Sequence, residues 1–148
     1  MFRVRYILAS AILFLAGSAQ AADPVQMAVE YRQALMNVYA WNLTSLRPMV
    51  KGDAPFNAEL FARHAKDLAA AAELEAIAAF PEDSINDESD AREEIWLDFD
   101  TFKKRHEALR EQSAKLAAVA AGGDEAAMKA QFGETGKTCK GCHDDFKN

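Results

Sequence analysis

Both cysteines of the chain stand three residues apart near its end, in Lys137-Thr138-Cys139-Lys140-Gly141-Cys142-His143. C-x-x-C-H is the spacing of a c-type haem attachment site. On a helix the two thiols fall about one turn apart on one face. Both can then add to the two vinyl groups of one haem, and His143 can supply a nitrogen to its iron. Three other chemistries compete for the same residues. A redox dithiol would need a βαβ context. A structural zinc site would need two further ligands at paired spacing, and His64 and His106 do not form such a pair. A Cys139–Cys142 disulfide is the plain structural alternative.

The start of the chain reads as an address. Arg3 and Arg5 precede an apolar run from residue 6 to 16, and Ala19-Gln20-Ala21 has the small-x-small form of a cleavage site. The run is short for a membrane span. We therefore expect residues 1–21 to be a cleaved secretory signal and residues 22–148 to be one domain in the periplasm, the side on which haem is attached covalently. Cleavage removes two arginines and no acid, which takes the formal charge from −6 to −8 over the remaining 127 residues. So acidic a chain is a poor partner for nucleic acid or an anionic membrane.

The elements that must carry the motif read as four helices with short connections. Helix A is expected over residues 24–50, with Asp23 as N-cap and Pro24 at the first helical position. Its seam is Val25, Val29, Arg32, Met36, Tyr39, Leu43, Leu46 and Val50, in steps of four and three. Pro48 should bend or loosen its last turn. Helix B is expected over residues 57–79, with Phe61, Ala65, Leu68 and Ala72 on one face and Phe80-Pro81 as its stop. Residues 82–90 read as a solvated acidic loop. Helix C should start at Ser89 or Asp90, with Glu93 completing a capping box. It carries Ile95, Phe99, Phe102, His106, Leu109, Ser113 and Leu116 inward, with Trp96 beside them, and ends at Gly122-Gly123. Helix D follows Asp124 with Met128, Phe132, Thr135, Cys139, Cys142 and Phe146 on its seam. Short loops make successive helices antiparallel neighbours. The fold class is therefore all-α, an up-down-up-down four-helix bundle with haem c in its core.

These residues also carry a resemblance. Tyr31-Arg32-Gln33, Val50-Lys51-Gly52 with Ala54-Pro55-Phe56, Glu94-Ile95-Trp96, Ala130-Gln131-Phe132-Gly133 and Cys139 to Phe146 together resemble the cytochrome c′ family, the class II c-type cytochromes. The resemblance covers essentially all of the chain after the signal. It implies a periplasmic protein, often a homodimer paired through helices A and B. It implies one covalent haem c with His143 below the iron, and an opposite axial position that is often open to nitric oxide or carbon monoxide. The alanine-rich helix B offers small residues for such pairing.

Three positions bear on that site. A guanidinium on an apolar seam is costly unless paired, so Arg32 is expected on a haem propionate with Gln33 as an adjacent donor; the alternative is an arginine that snorkels to solvent. By resemblance Met36 faces the distal side of the iron. In the related low-spin c-556-type cytochromes a methionine there is the sixth ligand, and otherwise Met36 is a gap-filler. Lys147 stands where many relatives have arginine; it keeps the charge and loses the planar fork.

The functional readings are a one-electron carrier serving periplasmic redox partners, a haem protein that binds nitric oxide or carbon monoxide, and an enzyme such as a weak nitric oxide reductase. An apolar distal pocket with no acid–base group argues against peroxide chemistry, so no catalytic residue is assigned.

Overall fold

Side-chain caps set where the long helices begin. In the computed structural model, which describes residues 23–148, Asp23 accepts from the Val25 N–H at 3.0 Å and opens α1, Pro24–Lys51. Asn57 accepts from the Leu60 N–H at 2.9 Å and opens α2, Ala58–Ala72. A single turn, α3, Glu94–Leu97, precedes Asp98, which accepts from the Thr101 N–H at 3.2 Å and opens α4, Phe99–Ala121. Asp124 accepts from the Ala127 N–H at 2.9 Å and opens α5, Glu125–Phe146. Each such cap contributes about 1 kcal/mol. Gly52, at φ 83°, closes α1 in the left-handed conformation that a side chain would resist. The signal segment expected over residues 1–21 lies outside the described residues.

The four long helices form the expected antiparallel bundle. α5 packs mainly on α4, α4 on α2 and α2 on α1, while the neighbours α1 and α5 touch only sparsely. The main core joins Leu35, Tyr39, Leu46, Met49, Phe61, Leu68, Leu116 and Met128. A second, smaller cluster holds Phe80, Ile95, Phe102 and Phe146. It sits at the end of the bundle where α1 and α4 begin and α5 finishes. Phe102 is its hub, edge-on to Phe80 at 4.7 Å and to Phe146 at 5.4 Å between ring centroids.

The structure corrects the sequence reading in three places. The inward face of α1 is Val29, Arg32, Leu35, Tyr39, Asn42, Leu46 and Met49. Leu35, Asn42 and Met49 replace Met36, Leu43 and Val50, a one-residue rotation that an apolar pattern with hydrophobics at both positions cannot resolve. α1 keeps Pro48 in its last turn, as expected, and runs on to Lys51. α2 stops at Ala72, seven residues early. A one-turn 3-10 helix over Ile77–Ala79 then redirects the chain so that Ala79 and Phe80 become buried. No local breaker marks that stop; tertiary burial decides it. The capping box at Asp90 and Glu93 does not form, because Asp90 pairs with Lys147 at 2.8 Å and Ala91 bridges to Lys147. Of the alanines of α2, Ala65, Ala71 and Ala72 lie inside the protomer, whereas Ala58 and Ala70 are exposed.

One core group titrates in an accessible range. His106 on α4 is half-buried, and among the described residues its Nε2 has no hydrogen-bond partner. Burial first, then Arg110, pulls its pKa below the usual 6.5, against the opposing pull of Glu107, Glu73 and Glu75. The unfolded chain therefore takes up this proton before the native one does. The stability is fully present above about pH 6.5 and is lost as pH falls through the lower native value. Thermal unfolding should show a midpoint that drops between about pH 7.5 and pH 5, and the drop should be smaller in His106→Gln. An identical drop in both proteins would contradict this account.

Candidate cofactor site

The sparse contact between α1 and α5 leaves a cavity of about 340 Å³ at the aromatic end of the bundle. That lies within the range of small-molecule and cofactor pockets. α1 contributes Arg32, Gln33, Met36 and Asn37 to its walls, and α5 contributes Cys142, His143, Phe146 and Lys147. The stretch between α2 and α3 supplies Phe80, Ser89, Asp90 and Ala91, and Ile95 and Phe102 complete the lining. The α4 wall is apolar, whereas the α5 side sets His143 and Lys147 beside Cys142 and Phe146. The α1 wall is mixed, since Gln33 and Asn37 stand beside Met36, so the uniformly apolar distal pocket expected from the sequence is corrected on that side.

The two cysteines sit where the two clusters meet. Cys139 packs against the main core and Cys142 against the aromatic cluster. Both thiols are free and half-buried. Burial raises both pKa values, that of Cys142 to about 11, against a downward pull from Arg105. Redox dithiols have depressed pKa values, so the environment argues against that reading. Among the described residues no group of three metal-ligating side chains occurs. Half-buried, protonated thiols one turn apart beside an aromatic-walled cavity fit thioether attachment of a flat apolar macrocycle.

His143 is exposed to the cavity side of α5, and burial of its ring, then Lys147, lowers its pKa. Its imidazole is thus neutral at neutral pH, the form that ligates a metal. Met36 lines the same cavity from α1 and is 38% exposed, so the core does not pin its thioether. His64 and His106 lie elsewhere; His64 Nδ1 is 2.9 Å from Asn42 Oδ1.

Arg32 is buried at 4% exposure. Its Nη1 donates to Ala79 O at 3.2 Å and Ser84 Oγ at 2.9 Å, and its Nη2 donates to Ser84 O at 2.6 Å and Ser89 Oγ at 2.5 Å. The guanidinium also stacks on Phe80, 4.8 Å from the ring centroid. It does not snorkel to solvent. Gln33 donates to Glu88 O at 2.5 Å. Residues 82–90 are therefore more than a solvated loop: Ser84 is fully buried, and the segment is strapped to α1. The loop's sequence hides this role, being polar but for the exposed Ile85; the one signal is Arg32 itself, a cation on an apolar face in need of acceptors. Removing it should strand buried carbonyls, at about 1–3 kcal/mol for each unsatisfied group. Arg32→Leu should lose at least about 2 kcal/mol in denaturant unfolding and speed hydrogen exchange across residues 79–91. Ser84→Ala should cost about 1 kcal/mol.

Comparison with known proteins agrees with this geometry. The family model described as cytochrome C′ matches residues 27–147. The chain is 36% identical over 132 residues to cytochrome c′ of Halomonas halodenitrificans, covering 85% of this chain and 98% of that protein. Its structure is similar to that of cytochrome c prime from Shewanella frigidimarina, at TM-score 0.81 and 34% identity over 87% of this chain and 99% of that one. It is also similar to a nitric oxide complex of a variant of cytochrome c prime from Alcaligenes xylosoxidans, at TM-score 0.77 and 35% identity over 87% and 99% of the two chains. A bundle left open between its first and last helices, a C-x-x-C-H at its end and this span of similarity lead to one conclusion: the chain belongs to the cytochrome c′ family and is a haem c protein.

Proposed function

We propose that this chain is an exported, periplasmic cytochrome c′ that binds nitric oxide or carbon monoxide at its haem iron and exchanges single electrons there. Cys139 and Cys142 hold the haem by thioethers, and His143 is its protein ligand. The observation that carries this reading is that His143 and Met36 line one cavity from two helices that scarcely touch. When bound, the haem would supply an iron that cycles between ferric and ferrous states and can take a diatomic. This chain's residues orient it and keep its surroundings apolar through Phe80, Ile95, Phe102 and Phe146.

Arg32 supports an anionic group in the same cavity. All its hydrogen-bond acceptors are neutral, so its charge is buried and uncompensated, and a haem propionate would offset it. None of those four bonds uses Nε. Gln33 and Lys147 flank it on the lining.

Met36 distinguishes this reading from its alternative, a low-spin carrier of the c-556 type with Met36 as a firm sixth ligand. A thioether outside the packed core is free to swing aside, which favours a displaceable neighbour of the iron. Intact mass should equal the chain from residue 22 plus one haem, and carbon monoxide should bind the ferrous protein. In Met36→Ala its binding should be at least about tenfold faster, ~1.4 kcal/mol of barrier. A ferrous spectrum indifferent to saturating carbon monoxide, and turned high-spin by Met36→Ala, would establish the alternative.

We also propose a homodimer, on grounds other than the alanines of α2. A second stripe on α1, Met27, Tyr31, Val38 and Trp41, is 42–68% exposed. Its spacing of four, seven and three residues is that of a coiled-coil seam, and it runs outside the protomer's core. Sedimentation at micromolar concentration should give a dimer, and Trp41→Glu should give a monomer with an unchanged haem spectrum. A wild-type monomer would reject the pairing.

A further inference from the structure

The last turn of α5 is held from two sides. On one side the chain end is tied to the loop before α3: Arg92 N–H donates to Phe146 O at 3.1 Å, Asn148 N–H donates to Asp90 O at 2.9 Å, and Lys147 pairs with Asp90 at 2.8 Å. On the other side a single residue of α4 does the work. Arg105 donates from Nε at 3.0 Å and from Nη2 at 2.7 Å to the same Asp145 oxygen. Its third nitrogen lies over Gly141, where an added Cβ would be 3.4 Å from Nη1 and 3.8 Å from Cζ. The guanidinium thus spans residues 141–145, and His143 is the midpoint of that span. No hydrogen bond of the His143 side chain is present among the described residues, so its ring is aimed only by the helix turn that bears it.

We infer that Arg105 is a positioning residue: lying across Gly141 and clamped to Asp145, it fixes the rotation of the turn that presents Cys142 and His143 to the cavity. The inference rests on the haem reading above. An ion pair this exposed, at 44% and 40%, adds little to stability; its placement is what matters. Arginine is needed because the planar fork gives Asp145 two donors, Nε and Nη2, and leaves Nη1 beside Gly141, a geometry lysine lacks.

The test is the midpoint potential and ferric EPR spectrum of the holoprotein in Arg105→Gln, Arg105→Lys, Asp145→Asn and the double variant Arg105→Gln/Asp145→Asn. A charge acting through space would give opposite shifts, since one substitution removes a cation and the other an anion. Positioning predicts shifts of one sign in all three single variants, no larger in the double variant, with altered EPR g-values. Each shift should change the ferric-to-ferrous ratio at fixed ambient potential by at least about threefold, or about 30 mV for one electron. Opposite shifts that cancel in the double variant, or shifts smaller than this, would overturn the inference. Intact mass and thermal midpoint, read on the same samples, separate it from its premise: a wild-type protein without covalent haem would fail the haem reading, whereas haem-loaded, folded variants with unmoved potentials would fail this one alone.

Discussion

A cation buried among neutral oxygens is the constraint from which the functional end of this bundle follows. Among the described residues Arg32 has no carboxylate partner, and four hydrogen bonds to Ala79, Ser84 and Ser89 replace the water it lost. To bring those acceptors to α1, α2 must end at Ala72 and the chain must turn through residues 77–79. That turn lays Phe80 against the guanidinium and against Phe102. Trp96 then secures it, its Nε1 donating to Phe80 O at 3.2 Å and Pro81 O at 3.0 Å. The strap carries Asp90 and Ala91 to the end of α5, where they lock Lys147. One buried charge therefore shapes the loop, the aromatic wall and the seat of the last helix.

The same arrangement explains why the bundle holds a cavity. Three helix pairs close tightly, and the fourth, α1 with α5, does not. Aromatic edges around Phe102 hold the end of the bundle apart, since T-shaped rings pack well at spacings wider than aliphatic contact. α5 spans both clusters, so its two thiols lie at the border between packed core and open pocket. Their raised pKa values are a consequence of that border position, and they separate this C-x-x-C from reactive dithiols.

α1 serves two surfaces at once. Its inward face closes the core through Leu35, Tyr39 and Leu46, and its outward stripe presents Met27, Tyr31, Val38 and Trp41. Met36 belongs to neither and borders the cavity. A helix apolar on three sides has no single amphipathic phase, which is why the direction of its inward face could not be read from spacing.

The sequence by itself determined the cofactor chemistry, the four long helices and their alternating direction, and the caps at Asp23, Asn57 and Asp124. Each of these depends on residues close together in the chain: a thiol spacing, a carboxylate beside free N–H groups, a glycine after a periodic run. Helix C's true start at Asp98 was hidden by Asp90, which carries the same local signal and is diverted to Lys147. Tertiary structure alone decided the rest. It chose Leu35 over Met36 for the core, ended α2 without a local breaker, placed Ser84 and Ser89 on Arg32 across more than fifty residues, and set Arg105 against Asp145. Those choices depend on which surfaces meet, and burial and charge compensation between distant segments leave no periodic trace in either segment alone.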